Sequence, residues 1–156
     1  MKRPLNSNNP PRKGHGKDTM KATLSAILLL SLAASAHSGI VANTIYAESR
    51  GESKAGRYAV ASVIWSRTSG ANFKEICLKR KQFSCWNNGY YEPVVSNPYD
   101  AKVMQEAEAW ERLMKAERFI PSLKANHYCR TDAFPYWRED LTNTKIIGAH
   151  LFGCCN

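Results

Sequence analysis

The 156-residue sequence contains no CxxC pair, no HExxH helix motif and no internal repeat. Without CxxC or HExxH, the sequence lacks the common zinc-binding motifs of short spacing. The lack of an internal repeat argues against a repeat architecture. No cluster of Lys and Arg is interleaved with aromatic residues, so nothing favours nucleic-acid binding. The short basic run Lys79-Arg80-Lys81 is more typical of a solvated surface turn than of a binding patch.

The sequence also has no apolar run of the roughly 20 residues that a membrane span needs. The apolar segment 22–34 instead follows Met20-Lys21 and ends in Ala34-Ser35-Ala36, which together form the three parts of a secretory signal peptide. We therefore predict a signal peptide at 20–36, with Met20 as the true start and 1–19 as a disordered upstream extension. An uncleaved N-terminal anchor is the alternative.

The mature chain, residues 37–156, is predicted to be a single exported domain, periplasmic or extracellular, without stable membrane insertion once the signal is removed. The formal charge of +9 overstates how basic this domain is, because the six basic and one acidic residues of 1–36 account for +5 of it. The remaining +4 suits an anionic polymer such as a bacterial wall but does not require one. The oligomeric state stays open.

Hydrophobic periodicity and capping signals predict helices first and short strands late, which defines an α+β fold. The predicted helices are 40–49, 55–69, 73–79 and 98 to about 118, and the predicted strands are 126–130 and 149–152. The second helix is apolar over much of its circumference and is expected to be central to the core. In the fourth, Ala101, Met104, Ala107 and Leu113 are the candidate core positions, with Trp110 nearby.

Glu48 is the strongest candidate for catalysis. It lies three and seven residues after Ile45 and Val41, on one face of the first helix, shortly before the helix stop expected at Gly51. A carboxyl group there meets the negative end of the helix dipole and is partly desolvated. Both effects favour the protonated form that a general acid needs. The alternative is a surface Glu at a frayed helix end.

Five cysteines, Cys77, Cys85, Cys129, Cys154 and Cys155, follow the predicted signal. In an exported protein they allow up to two disulfides and one odd thiol, and the spacing of Cys77 and Cys85 is compatible with a local bridge. One sequence does not fix the pairing.

Four stretches, taken in order, resemble the SleB/CwlJ cell wall hydrolases, the spore-cortex-lytic enzymes and their phage and proteobacterial relatives. They are Tyr46–Glu52 with Val60–Ile64 and Arg67, Gln82–Trp86, Ala125–Tyr128, and Pro135–Trp137 leading to Ile147–Phe152. The resemblance covers residues 40–152, essentially the whole mature chain. One departure is Asn126, where we expect a small residue or Thr before the His-Tyr pair.

This resemblance implies a mostly helical, lysozyme-like domain with a small late β-sheet that cleaves the glycan strands of peptidoglycan, as a lytic transglycosylase without a cofactor. Glu48 falls where the family carries its catalytic glutamate. A single carboxyl suffices because the sugar's own 6-hydroxyl is the nucleophile, unlike in the two-carboxylate hydrolases.

Other residues are candidates for binding or support. Five residues are suited to hydrogen bonding and stacking on sugars: Gln82, Ser84, Trp86, Tyr128 and Trp137. Trp86 fits simple core packing equally well. Glu52, His127 and His150 are candidates for support. We favour a structural role for the two histidines, and for Glu52 a place in the first turn of the second helix, where it would stabilise the helix dipole.

Two rival functions remain open at this point. The first is a zinc amidase that cuts the muramic acid–peptide bond with His127, His150 and Glu48 as ligands. The second is a wall-binding module without turnover, which would use the aromatic loops to hold glycan.

Overall fold

The computed structural model describes residues 39–68, 72–89 and 91–155. The predicted upstream extension 1–19 and signal peptide 20–36 lie outside these residues. Within this part of the chain the order is α1 (Ile40–Ser49), α2 (Lys54–Arg67), α3 (Phe73–Leu78), a 3-10 helix (Ser84–Trp86), α4 (Pro98–Lys115), β1 (His127–Arg130), a second 3-10 helix (Arg138–Asp140), β2 (Thr142–Ile147) and β3 (His150–Cys154). The predicted α+β fold with a late sheet is confirmed.

The three strands form an antiparallel sheet in the order β1-β3-β2, with β3 in the centre. Strand β2 is not predicted by the sequence. The reason is that its side chains are almost all exposed, so it carries no apolar alternation to mark it. Gly148 makes the tight turn from β2 to β3 with a φ of +60°, a conformation that favours glycine.

Helix α2 is the centre of the core, as its composition predicted. Ala59, Val60 and Val63 pack against Phe152 of the central strand, whereas Ala61 and Ile64 face the other helices. The helix begins after Ser53, whose side chain accepts a hydrogen bond from the Gly56 N–H at 3.2 Å. Because α2 packs against the sheet on one side and against the other helices on the other side, it joins the helical part of the fold to the sheet.

The core positions predicted for the long helix α4 are confirmed in part: Met104 and Ala107 are buried, whereas Ala101 is only half-buried. The buried residues of this helix include Val103, Ala107, Trp110 and Met114, which follow one another at the spacing of a helical face. Leu113 was expected in the core and is exposed instead, because it lies one residue away from that stripe. In the described part of the chain, no helix has both the length and the apolar character to cross a membrane.

All five cysteines are free thiols in the structure, so neither the Cys77–Cys85 bridge nor any other disulfide is formed. Cys77 is buried among the helices, and burial raises its pKa to about 11. The pKa of Cys85 is also raised, by burial and by the nearby Glu48 carboxylate. Neither thiol has the lowered pKa of a catalytic cysteine.

Candidate active site

Two further elements converge on Glu48, which lies half-buried in the last turn of α1. The 3-10 helix contributes the Ser84 hydroxyl and the backbone N–H of Cys85, each 3.0 Å from Glu48 Oε1. Strand β1 contributes the Tyr128 hydroxyl, which donates to Glu48 Oε2 at 2.9 Å. Both carboxyl oxygens are thus held, and the side chain is fixed rather than frayed at a helix end.

This arrangement can hold the carboxyl group in either protonation state. The Cys85 N–H can only donate, but the hydroxyls of Ser84 and Tyr128 donate to a carboxylate and accept from a carboxylic acid. Burial and the neighbouring Glu48 raise the pKa of Tyr128 well above its usual range, so its hydroxyl keeps its proton. A group that first gives and then takes a proton needs such adaptable partners.

The Glu48 side chain lines a cleft of about 830 Å³. The other walls of the cleft are the corner between α1 and α2 (Arg50 to Glu52), the segment with Gln82 and Ser84, strand β1, and the loop with Tyr136 and Trp137. All the residues singled out from the sequence, with the exception of Trp86, line this cleft: Glu48, Glu52, Gln82, Ser84, His127, Tyr128, Trp137 and His150. Tyr136 lines it as well and is 94% exposed. The cleft therefore has a carboxyl group at one wall and an aromatic rim.

Trp86 is not part of this cleft, and its assignment as a sugar-binding residue is wrong. It is only 9% exposed and packs in the helical core, with its indole N–H donating to Thr44 Oγ1 at 2.9 Å. The alternative of core packing, which the sequence left open, is the one the structure takes.

Glu52 does not sit in the first turn of α2, because the helix begins only at Lys54. Its carboxylate reaches the β2–β3 turn instead, where Oε2 accepts from the Ala149 N–H at 3.3 Å and Oε1 lies 3.3 Å from His150 Nδ1. A Cβ on Gly148 would stand 2.0 Å from Glu52 Oε2. Glu52 therefore joins the corner between α1 and α2 to the sheet. Position 148 needs a glycine, because any side chain there would collide with the Glu52 carboxylate.

Both cleft histidines have structural partners. The ring of His127 packs on Trp137 with centroids 5.1 Å apart, and its Nδ1 lies 2.9 Å from Asn126 Oδ1. Burial and the charge of Arg67 lower the pKa of His127, so the ring is neutral near pH 7. The buried ring of His150 meets the Tyr128 ring edge to face at 5.5 Å. The histidines thus support the aromatic walls.

Asn126 joins the start of β1 to the residue that follows β3. Its side chain donates to the Cys155 carbonyl and accepts from the Cys155 N–H, both at 2.8 Å. A small residue without a polar side-chain group could make neither of these contacts.

Two contributors to the site were missed from the sequence. Cys85 acts through its backbone N–H, which no side-chain pattern reveals. The Arg67 guanidinium donates to the carbonyls of Asn126 at 2.6 Å and Gln82 at 3.2 Å, and so ties two walls of the cleft together. A usable signal existed, because Arg67 follows Val60 and Ile64 on the buried face of α2. Burial lowers the pKa of Arg67, but a guanidinium stays protonated.

Among the described residues, no three His, Cys, Asp or Glu side chains converge as a metal site. His127 and His150 point to Asn126 and Glu52 rather than to a common centre with Glu48. The zinc amidase hypothesis therefore has no support from the arrangement of these side chains.

Comparison with known proteins defines the class. The family model described as Cell Wall Hydrolase matches residues 51–153, about two thirds of the chain. The chain therefore belongs to the cell wall hydrolase family, a class of peptidoglycan-degrading enzymes. The match begins three residues after Glu48, so it includes the Gln82–Ser84, Tyr128 and Trp137 walls but not the carboxyl group itself. A search of curated proteins found no match.

Solved structures narrow the class to the SleB type. The catalytic domain of the Bacillus cereus SleB protein is 28% identical, with a TM-score of 0.53 over 73% of this chain and 86% of that one. The catalytic domain of the germination-specific lytic transglycosylase SleB from Bacillus anthracis is 27% identical, with a TM-score of 0.54 over 73% of this chain and 90% of that one. The resemblance to SleB/CwlJ-type hydrolases is confirmed.

If Tyr128 holds Glu48, the variant Tyr128→Phe loses a hydrogen bond to the carboxyl group and keeps the ring. We expect kcat on purified peptidoglycan to fall about 10- to 100-fold, the effect of losing one hydrogen bond to a charged group. Tyr58→Phe is the matched control, because it removes a hydroxyl that donates to the Ile120 carbonyl outside the cleft. An equal loss in both variants would contradict a specific role for Tyr128.

Proposed function

We propose that the protein cleaves the glycan strand of peptidoglycan as a lytic transglycosylase, with Glu48 as its one catalytic carboxyl group. The observation that carries this proposal is the set of three donors around Glu48, two of which are hydroxyls that serve both of its protonation states. The name of the Bacillus anthracis relative, a lytic transglycosylase, points the same way.

The reaction begins with proton transfer from Glu48 to the glycosidic oxygen that follows muramic acid. The bond between this oxygen and C1 of the muramic ring breaks, the leaving sugar departs as an alcohol, and positive charge develops on the ring. The Glu48 carboxylate, now held by Ser84, Cys85 and Tyr128, faces that charge across the cleft. Stabilisation of this charge and proton transfer are the two contributions of the residue.

The same carboxylate then takes the proton from the 6-hydroxyl of the muramic ring. The 6-oxygen attacks C1, which closes a 1,6-anhydro ring and returns Glu48 to its protonated form. No water is consumed, so no second carboxyl group is needed to activate one. Glu52 is the other acid that lines the cleft, and its contacts with Ala149 and His150 suit a structural role.

The aromatic rim provides surfaces for the sugars. Trp137 and Tyr136 offer flat faces for the apolar sides of sugar rings, and Gln82 and Ser84 offer polar groups for their hydroxyls. These assignments of binding residues belong to the proposal.

Mass spectrometry of the soluble fragments from purified peptidoglycan tests which bond is cut. We expect sugar fragments that retain their peptide stems and disappear when the enzyme carries Glu48→Gln. Free stem peptides would identify an amidase and contradict the proposal. Binding without any soluble fragment would leave the wall-binding module as the function.

We also propose that the protein is exported by the segment 20–36 and acts as a single domain from residue 37. The support is the charged start, short apolar core and Ala34-Ser35-Ala36 end of that segment. After expression in a bacterial host, N-terminal sequencing is expected to find the exported protein starting near His37. A start at Met1 or Met20 in a membrane-bound protein would instead support an uncleaved anchor.

A further inference from the structure

The basic run Lys79–Lys81, which the sequence marked as a solvated turn, borders the active-site cleft. Lys81 lines the cleft, whereas Lys79 and Arg80 are exposed and do not. The Gln82 N–H donates to the Lys79 carbonyl at 3.0 Å, and Arg67 holds the Gln82 carbonyl. The turn is therefore attached to the cleft wall through the half-buried Arg67.

Lys81 adopts a φ of +65°, a left-handed conformation that few residues other than Gly, Asn and Asp take readily. Such conformations cost free energy and are found most often at functional sites. Here the conformation accompanies a Lys at the edge of a catalytic cleft, where its ammonium group is accessible to a ligand.

The basic side chains that line the cleft differ in whether they have a partner within the protein. Arg130 forms an ion pair with Asp132, and Arg67 is occupied by two carbonyls. Lys81 and Arg50 are exposed, and within the described residues neither forms an ion pair with a carboxylate. Arg50 lies over the Tyr46 ring at 5.8 Å, at the same corner that carries Glu48. The two acids of the cleft are already held by their own donors.

Two cations without acidic partners favour an anionic ligand, and the sugar rings of the glycan are uncharged. The carboxylates of peptidoglycan are carried by the peptide stems attached to muramic acid. We propose that Lys81 and Arg50 form a carboxylate-binding subsite, so that the preferred substrate is a glycan strand that still bears its peptide stems. This inference rests on the proposed function, because it assigns the substrate class of the same cleft.

The test compares two soluble substrates, glycan strands with their stems and the same strands after an amidase has removed the stems and the freed lactyl carboxylates have been converted to neutral amides. For the full chain we expect a lower KM on the strands with stems. Lys81→Asn removes the charge with a residue that accepts a positive φ, and Arg50→Gln removes the other charge. Each variant is expected to raise KM on the stem-bearing strands about 2- to 5-fold, the effect of a partly exposed ion pair, with kcat unchanged.

Three controls make the result specific. Lys81→Arg keeps the charge and should keep the low KM, and Arg80→Gln removes a charge from the same turn outside the cleft. Added salt should reduce the preference for stem-bearing strands, since exposed ion pairs are screened. Equal KM values for both substrates in the unmodified protein, or equal losses on both in the variants, would overturn the proposal.

Measuring binding to the two substrates instead of turnover tests the carboxylate-binding subsite independently of the proposed function. The Glu48→Gln variant should bind stem-bearing strands more tightly than stripped ones, and addition of Lys81→Asn should remove that difference. If neither substrate is cut, the proposed function fails, whereas the binding comparison still decides whether the subsite exists.

Discussion

Glu48→Gln is expected to lower kcat on purified peptidoglycan by roughly 10³-fold, within the range of general acid–base catalysis. The amide keeps the size of the carboxyl group but can neither give a proton to the glycosidic oxygen nor take one from the 6-hydroxyl. Its oxygen can still accept from the Ser84 hydroxyl and the Cys85 N–H, and its NH2 group can donate to the Tyr128 hydroxyl, so the site should keep its shape. Release of soluble fragments measures turnover, and sedimentation with insoluble peptidoglycan measures binding, which we expect to persist.

Glu52→Gln is the matched control for this prediction. It makes the same chemical change in the same cleft, but its amide oxygen can still accept from the Ala149 N–H. We expect a loss of activity far smaller than that of Glu48→Gln. Comparable losses in both variants, with unchanged melting temperatures, would indicate a two-carboxylate mechanism and contradict the role of Glu48 as the one catalytic carboxyl group.

Glu111→Ala is expected to destabilise the fold by about 2–3 kcal/mol, the effect of losing a buried hydrogen bond to a charged group. Glu111 lies on α4, is only 5% exposed, and accepts from the Ala42 N–H at 2.9 Å. This is one of the N–H groups that the first turn of α1 leaves without a partner, and Gly39 at the helix start offers no capping side chain. A residue distant in sequence thus caps the helix that carries Glu48.

Urea unfolding of Glu111→Ala and Glu108→Ala separates capping from a general effect on α4. Both variants replace a Glu by Ala on the same helix, but only Glu111 contacts Ala42 and forms an ion pair with Lys115 at 2.7 Å. We expect a small change in the unfolding free energy for Glu108→Ala. Similar values for both would show that the cap contributes little. Gly39→Ala should repeat the Glu111 defect, because its Cβ would lie 1.9 Å from Glu111 Oε1.

Much of the fold was accessible from the sequence because local signals and packing agree. Helix α1 has the predicted bounds, and α2 is buried where its apolar residues required it. Strand β2 escaped because an exposed strand at the edge of a small sheet needs only backbone pairing with β3, which leaves no periodic trace in its side chains. The cap on α1 escaped because Glu111 is 69 residues from Ala42 along the chain.

The candidate site was predictable in its residues but not in its contacts. The sequence singled out Glu48, Ser84 and Tyr128, and the structure brings all three together. It could not separate Trp137 on the cleft from Trp86 in the core, since both are Trp residues in aromatic loops and only the packing around Thr44 distinguishes them. The Cys85 N–H and the carbonyls held by Arg67 belong to the backbone, where residue identity carries no information.

Digestion of peptidoglycan in water enriched in ¹⁸O tests ring closure by the substrate most directly. If Glu48 acts alone and the 6-hydroxyl is the nucleophile, the new muramic ends are anhydro forms that are lighter by one water and contain no ¹⁸O. If water is the nucleophile, every new reducing end carries one ¹⁸O atom. Anhydro ends without label are the result we predict, and labelled reducing ends would contradict the single-carboxyl mechanism.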